Sequence, residues 1–428
     1  MALTADVPTT PELERECQGC GLFQVLPALV PNASADCGRC GTILRRGRTD
    51  PLTRPLAYSA AALSFFLVAA TLPFMTVSAA GRESMNTLLT GPEQLEFAGY
   101  PPLALVVLAF SVVMPLVKIA IMVVVLLGLR TAEPPRWLPR LWGWLDVLSP
   151  WAMIEVFLLG VFVAYTRLTA IAHVDIGPAL YSLAACMLAM VAADNSLDRE
   201  AVWEALEARG LVASPAPPGG GTRIGCDTCH LVSRAEEGRP CPRCGHALRH
   251  RKRDSLARTG ALLLAATILY IPANLYPVLN LMRLGHGGPS TILGGVVELV
   301  HAEMFPLALL VFFASVTVPV LKLAVLTWVA VQTRRRSGSH LRTRTCLYYA
   351  VDFIGRWSMI DVFMISILTA LVRLGFLAEV TPQVGAVAFA AVVIITMFAA
   401  ASFDPRLMWD AAEAGEREAS EATAAVAA

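Results

Sequence analysis

The sequence predicts an all-α polytopic membrane protein made of two tandem parallel repeats of four transmembrane helices. A small cytoplasmic zinc-ribbon module is expected before each repeat. Three observations support this prediction. First, 56% of the 428 residues are hydrophobic and only 16% are charged, which is typical of a chain that crosses the membrane several times. Second, the layout occurs twice. Third, most of the ten cysteines form CxxC pairs, two pairs at the start of each repeat.

The first repeat begins with a polar module, residues 1–54, and continues as a membrane domain, residues 55–196. Residues 1–52 carry no apolar segment of the kind that forms a cleavable signal. Long apolar runs are the primary sign of membrane-crossing helices. The four predicted spans cover about residues 56–77, 100–129, 144–168 and 178–193.

The second repeat follows a linker, residues 197–222, that ends in the flexible sequence PAPPGGG. It comprises a second module, residues 223–253, and a membrane domain, residues 254–403. The tail, residues 404–428, is rich in Ala and Glu from Glu413 onwards and is expected to be disordered there. The four spans of this repeat cover about residues 256–279, 304–331, 347–371 and 384–401.

The repeat has a defined register, which indicates a duplication. Because each half holds an even number of spans, both halves have the same orientation. At an offset of 204, Cys37, Cys40, Pro73, Ser111, Pro115 and Lys118 recur as Cys241, Cys244, Pro277, Ser315, Pro319 and Lys322. At an offset of 206, Asp146, Trp151, Phe157, Arg167, Asp198 and Trp203 recur as Asp352, Trp357, Phe363, Arg373, Asp404 and Trp409.

The arginines predict the orientation. They crowd both modules and the loops at 130–140 and 334–344, whereas the opposite loops hold Arg82 and Arg283, with Arg167 and Arg373 at their borders. Positive residues are enriched in cytoplasmic loops. We therefore expect both termini and both cysteine modules to lie in the cytoplasm.

Paired CxxC knuckles present four thiolates at the spacing of a tetrahedral structural zinc site. The sequence thus predicts two structural zinc ions, since modules this small need metal binding to fold. Disulfides are disfavoured in a reducing cytoplasm, and a redox CxxC is an alternative that the sequence leaves open. The predicted ligands are Cys17, Cys20, Cys37 and Cys40 in the first module and Cys226, Cys229, Cys241 and Cys244 in the second.

Two of the three lysines lie inside apolar spans, at Lys118 and Lys322. A lysine at that depth costs about 2.5–3.5 kcal/mol even on lenient insertion scales, so it needs a partner or a wet cavity. Ser315 lies seven residues before Lys322 and shares its helix face. The alternative is a lysine that extends to the headgroups.

Two carboxylates in neighbouring spans are the expected partners of these lysines. We predict that Lys118 pairs with Glu155 and that Lys322 pairs with Asp361. Thr396 is at a similar depth and completes a network with Ser315. Its counterpart in the first half is Met190, so the working site is expected in the second half. Either the network responds to protons or gates a substrate, or the ion pairs only fix helix register.

The layout resembles the paraquat-inducible protein A family of bacterial inner-membrane proteins. The resemblance covers about residues 14–410 and rests on the paired CxxC modules and on motifs that occur in both halves. It implies a partner with mammalian-cell-entry (MCE) domains that forms a periplasmic tunnel, and movement of phospholipid between the two membranes. It also implies that Ser315, Lys322, Asp361 and Thr396 are functional. These motifs are LPFMTV and LYPVLN, MPLVK and VPVLK, and WAMIEVF and WSMIDVF.

Taken together, we expect a non-enzymatic inner-membrane subunit of an envelope-spanning lipid transport system. Proton coupling through the intramembrane network is part of this expectation, because the chain has no nucleotide-binding motif. The net charge of +1 gives no sign of a nucleic-acid partner. Two alternatives remain, a membrane redox protein that uses its CxxC thiols and a structural anchor for a periplasmic partner.

Overall fold

A computed structural model describes residues 13–27, 29–79, 82–169, 173–212, 221–283, 286–372 and 378–427. Over these ranges the chain is mostly helical. Eight helices are long and apolar enough to cross a membrane. They coincide with the eight predicted spans, so the chain is a multi-pass membrane protein.

The first repeat opens with two antiparallel hairpins, called the first ribbon, at residues 13–46. Their strands are β1 (Leu13–Glu16), β2 (Phe23–Leu26), β3 (Ser34–Asp36) and β4 (Ile43–Arg46). The rest of the repeat comprises α1 (Thr53–Thr71), β5 (Met75–Ala79), β6 (Arg82–Asn86), α2 (Thr90–Phe97), α3 (Pro101–Leu108), α4 (Met114–Gly128), α5 (Leu138–Leu148), α6 (Ile154–Leu168), β7 (His173–Ile176), α7 (Pro178–Ser196) and α8 (Arg199–Ala208).

The second repeat follows the same order. Its second ribbon, residues 222–250, holds β8 (Thr222–Gly225), β9 (Val232–Ala235) and a bridge between Pro240 and Ala247. The rest comprises α9 (Ser255–Leu275), β10 (Leu279–Arg283), β11 (His286–Ser290), α10 (Ile292–His301), α11 (Phe305–Phe312), α12 (Val318–Arg334), α13 (Leu341–Gly355), α14 (Ile360–Leu371), β12 (Ala378–Pro382), α15 (Val384–Ser402) and α16 (Arg406–Ala427).

The second span of each repeat contains a short π-helical segment next to its proline. Ala109–Val113 joins α3 to α4, and Phe313–Thr317 joins α11 to α12. Pro115 and Pro319 lie two residues beyond these segments. A proline lacks the N–H and clashes with the carbonyl four residues earlier. The wider π turn accommodates this change without ending the helix, so each span stays continuous.

A three-stranded sheet caps each repeat at the end away from the ribbons. β5 pairs antiparallel with β6 and β7, and β10 pairs likewise with β11 and β12. The sequence predicts loops and short turns for these segments. The sheets are not predictable from local sequence, because the third strand of each sheet follows two further spanning helices in the chain.

The repeats meet along α6 and α14. The rings of Phe157 and Phe363 are 5.5 Å apart between centroids, in an edge-to-face arrangement. These two residues are equivalent positions of the repeat, so their contact is the one that a twofold relation between the halves produces. Gly160 allows this close approach, since a Cβ there would lie 3.0 Å from the Cβ of Phe363.

Each ribbon packs on the helices of the other repeat. In the first ribbon, Cys17 and Cys20 share a buried cluster with Trp409 of α16 and with residues of α12 and α13. In the second ribbon, Cys226 packs with Trp203 of α8 and with residues of α4 and α5. The sequence pattern does not predict this exchange of ribbons between the repeats.

Equivalent arginines fasten the two ribbons. The guanidinium of Arg39 lies 4.5 Å from the ring centroid of Trp409 and pairs with Glu413. Arg243 lies 5.3 Å from the ring centroid of Trp203, and its Nε is 2.9 Å from Glu207. The Trp and Glu are four residues apart in both helices, so they share one helix face.

The predicted disorder of the tail from Glu413 is wrong, because α16 continues to Ala427. Two of its acidic residues pair with arginines from elsewhere in the chain, Glu413 with Arg39 and Glu418 with Arg336. Composition alone suggested a solvated segment, and these distant ion pairs are invisible to composition.

Candidate functional site

Each ribbon brings its four cysteines into one cluster, and the sulfur atoms of a cluster all lie within 4.8 Å of one another. Cys17 and Cys40 are 3.5 Å apart between Sγ atoms, and Cys226 and Cys244 are 3.6 Å apart. A metal–sulfur distance of about 2.3 Å gives a tetrahedron with edges of about 3.8 Å. Both clusters can therefore hold a metal ion through the eight predicted ligands, which also include Cys20, Cys37, Cys229 and Cys241.

The clusters favour thiolates, which are the form that binds metal. A hydrogen bond from the thiol of Cys20 lowers the pKa of Cys17 to about 5, although burial opposes the shift. Cys229 likewise lowers the pKa of Cys226 to about 6. The pKa of Cys241 is lowered too, by hydrogen bonds from its neighbours, so each cluster favours at least one thiolate at neutral pH even before a metal binds.

Lys118 is buried, as the sequence predicts, but its predicted partner is wrong. Its Nζ lies 2.7 Å from Oδ2 of Asp194, near the end of α7. Glu155 makes no ion pair with any residue in the described ranges. The lysine side chain therefore reaches the ribbon end of a neighbouring span instead of the carboxylate at the start of α6.

Lys322 is also buried, with 2% of its surface exposed, and its predicted ion pair with Asp361 is absent from the described part of the chain. The carboxylate that attracts it is Asp352 on α13. Its side chain lies along Gly355, where an added Cβ would be 2.6 Å from Nζ. A glycine at this position is what lets the lysine extend.

Asp361 is the more unusual group. It is 4% exposed, and neither carboxylate oxygen accepts a well-formed hydrogen bond from a described residue. Two groups interact with it electrostatically, the hydroxyl of Ser315 and the guanidinium of Arg167. Arg167 comes from α6, so this contact joins the two repeats.

Arg167 and Asp361 line a small cavity between the repeats, together with Ser290, Thr291 and Gly295. Its volume is about 30 Å³, which is about the space that one water molecule occupies in the liquid. Nε of Arg167 has no hydrogen-bond partner among the described residues. Glu298 on α10 also acts electrostatically on Arg167, so two carboxylates attract this guanidinium.

The predicted hydroxyl groups are buried but bond mainly to their own helices. Ser315 donates to the carbonyl of Val311 at 2.6 Å, and Thr396 donates to the carbonyl of Val393 at 2.8 Å. Neither Thr396 nor Lys322 contacts Asp361 through a hydrogen bond or ion pair in the described ranges. Of the four predicted residues, the structure thus brings only Ser315 and Asp361 together.

A buried charged cluster joins both ribbons to the second repeat. Glu16 accepts from Arg406 at 3.2 Å, from Arg251 at 3.0 Å and from the N–H of Gly225 at 3.0 Å. Burial raises the pKa of Glu16, and the two arginines partly oppose that rise. Burial works to lower the pKa of Arg406, but its bonds to Asp404 outweigh this and raise it. The charged forms of these buried residues are therefore stabilised by their ion pairs with one another.

Sequence reasoning missed Arg167, Asp194 and Asp352 as partners of the buried charges. One signal for Arg167 was present, since it is one of the few arginines near the arginine-poor loops and it recurs in the repeat as Arg373. Arg373 lies outside the described residues. No signal distinguished Asp194 or Asp352 from other carboxylates near the ends of spans.

Comparisons with known proteins agree with this architecture. The model of the family described as paraquat-inducible protein A matches residues 52–207 and 256–413, one stretch in each repeat. The chain is 36% identical over 408 residues to "Intermembrane transport protein PqiA" of Escherichia coli, covering 94% of this chain and 97% of the relative. No solved structure matches the chain.

Two more distant relatives match the chain over a similar length. "Lipophilic envelope-spanning tunnel protein A" of Escherichia coli is 31% identical over 401 residues, which are 94% of this chain and 92% of the relative. "Probable intermembrane transport protein" of Haemophilus influenzae is 25% identical over 403 residues, which are 92% and 94% of the two chains.

Proposed function

The chain belongs to the paraquat-inducible protein A family, and from this membership we propose that it is the inner-membrane subunit of an envelope-spanning lipid transport system. It passes phospholipid to or from a tunnel formed by a periplasmic MCE-domain protein and carries out no covalent chemistry. The relatives' names, which speak of intermembrane transport and of an envelope-spanning tunnel, support this proposal.

One observation carries the functional assignment, the buried Asp361 next to Arg167 of the other repeat. A carboxylate inside a membrane protein without hydrogen-bond donors is costly, and such residues typically mark ion or proton pathways. Its position at the contact between the repeats lets its charge state change how strongly they attract each other.

The proposed mechanism follows from that position. While Asp361 is ionised, it attracts Arg167 and holds α6 against α14. Once it takes up a proton, that attraction ends, and Arg167 is free to turn towards Glu298 or towards the phosphate of a lipid. The hydroxyl of Ser315 is the second group that acts on Asp361, and Lys322, attracted by Asp352 of α13, is buried on the adjoining part of α12.

The test compares Asp361→Asn with Glu155→Gln, the matched change at the equivalent position of the first repeat. Each variant is reconstituted with its MCE-domain partner, and transfer of a fluorescent phospholipid to acceptor vesicles is measured. We expect Asp361→Asn to reduce transfer to the level of vesicles without the chain and Glu155→Gln to retain it. Normal transfer by Asp361→Asn would refute the mechanism.

We propose that each four-cysteine cluster holds one structural zinc ion through its own four cysteines, so that the two ions together use all eight. Their sulfur geometry supports this, since tetrahedral thiolate sites select zinc or iron–sulfur clusters. The arginine-rich side, with the ribbons and both termini, faces the cytoplasm on this proposal. Elemental analysis of the purified chain tests the metal, and labelling of single introduced cysteines in intact cells tests the orientation.

The two alternatives from the sequence are tested by the same preparations. A redox protein would contain reactive CxxC thiols and no zinc, and it would turn over with a quinone or thiol substrate. If the chain is only an anchor, the Lys322→Ala and Asp361→Asn variants should still bind the partner and should show unchanged lipid transfer. Co-purification with an MCE-domain protein encoded beside this gene tests the partner.

A further inference from the structure

A cavity of about 480 Å³ lies between α5 and the second ribbon. Arg140, Gly143, Trp144 and Val147 of α5 form one wall, and Thr228 and His246 are among the ribbon residues of the other. The cavity is open on one side, and it is separate from the site around Asp361.

The cavity exists because residue 143 is a glycine. The equivalent position of the second repeat is Tyr349, which packs between α13 and the cysteine cluster of the first ribbon. Its side chain therefore occupies, in the second repeat, the space that remains open in the first. A Cβ at Gly143 would lie 3.6 Å from side-chain carbons of Cys244 and Thr228, which is ordinary van der Waals contact.

The cationic side chain in the cavity is Arg140, on the α5 wall, while Cys244 of the second cysteine cluster lines the facing wall. No carboxylate is among the described lining residues, and Arg140 forms no ion pair within the described ranges, so its guanidinium can bind an anion. Arginine binds phosphate through two parallel hydrogen bonds, and Thr228 and His246 add polar groups on the facing wall. At the position of Arg140 the second repeat has Cys346, so both the space and the charge are specific to the first repeat.

The remaining wall suits hydrocarbon at a membrane surface. Trp144 and Val147, which line the cavity, expose 58% and 48% of their surface. Outside the cavity lining, Trp137, one residue before α5, and Leu127, near the end of the preceding span, are exposed as well. Tryptophans are enriched where headgroups meet acyl chains.

We infer that this cavity binds a phospholipid of the ribbon-side leaflet, with its phosphate on Arg140 and the start of an acyl chain along Trp144 and Val147. The inference rests on the proposed function only in placing α5 at the bilayer surface. It adds a lipid-binding site on the side opposite to the tunnel partner, next to a ribbon that is fastened to the first repeat.

The test uses the full chain in vesicles of phosphatidylethanolamine and phosphatidylglycerol with a trace of phospholipid that carries a photoreactive group near its glycerol. After irradiation, labelled peptides are quantified by mass spectrometry. We expect labelling of α5 and of the second ribbon. Gly143→Tyr, which copies the second repeat, and Arg140→Gln should each reduce it about tenfold. Arg136→Gln, a matched arginine outside the cavity, should leave it unchanged.

Unchanged labelling in both Gly143→Tyr and Arg140→Gln overturns the inference, as does complete competition by millimolar inorganic phosphate, which would reveal a site for the free anion. Metal content and elution volume confirm that Gly143→Tyr is folded, and Arg140→Gln carries the test if it is not. Lipid transfer measured in parallel separates the two proposals. Absent transfer with intact labelling would refute the transport proposal and leave this site standing.

Discussion

Arg39 and Arg243, the equivalent arginines of the two ribbons, can be compared directly, because the ion pairs of Arg243 are buried and that of Arg39 is partly exposed. Arg243 is 2% exposed and pairs with Glu200, which is 2% exposed, and with Glu207. Removing one partner of a buried pair costs about 3–5 kcal/mol. Glu200 retains Arg15 as a second partner, so we take the lower end, about 3 kcal/mol.

The equivalent contact of the first ribbon is weaker. The side chain of Arg39 is 30% exposed and that of Glu413 is 43% exposed. Such a pair contributes about 0.2–1 kcal/mol, and the stacking on Trp409 contributes about 0.5–1 kcal/mol. We therefore expect Arg243→Ala to destabilise the protein by about 2 kcal/mol more than Arg39→Ala.

The assay is thermal unfolding of each variant in the same detergent, followed by circular dichroism, with the rate of metal release to a chelator as a second readout. At about 1 °C for each kcal/mol in a chain of 428 residues, the midpoint of Arg243→Ala should lie about 2 °C below that of Arg39→Ala. Its second ribbon should also lose metal faster. Equal midpoints for the two variants would refute the view that each ribbon is held by the other repeat through these contacts.

Four further outcomes are expected. Lys322→Ala should reduce lipid transfer more than Lys118→Ala, and equal losses would contradict a working site in the second repeat. Gly355→Ala should reduce transfer as Lys322→Ala does, because its Cβ occupies the place of the lysine Nζ, while the unfolding midpoint changes little. Asp194→Asn should reduce the free energy of unfolding by about 1 kcal/mol or less, through the loss of its pair with Lys118, yet transfer should persist. Chelation of the metal should expose both ribbons to protease while the helical circular dichroism signal of the spans remains.

Much of the fold could be predicted because its signals are local. Apolar runs of sufficient length located all eight spans, and the CxxC pairs located both clusters. That Lys118 and Lys322 are buried was also predictable, since the surrounding residues are apolar. Which carboxylate each lysine meets was not, because this depends on the rotation and offset of neighbouring helices, which no single segment encodes.

The crossover of the ribbons shows the same limit at a larger scale. Trp203 and Trp409 recur in the repeat, so their importance could be read from the sequence. The hydrophobic pattern of the sequence is the same whether a ribbon packs on its own repeat or on the other repeat. Only the spatial arrangement distinguishes Arg39 on Trp409 from a contact within one repeat.

The exchanged ribbons also bear on how such a chain arose and how freely it can change. Two copies of a single-repeat ancestor that traded their ribbons would form a domain-swapped dimer with these contacts, and fusion of the two genes would preserve them in one polypeptide. Each half of the present chain then carries the ribbon that covers the other half. Neither half could be lost or replaced without exposing its counterpart, which ties their divergence together.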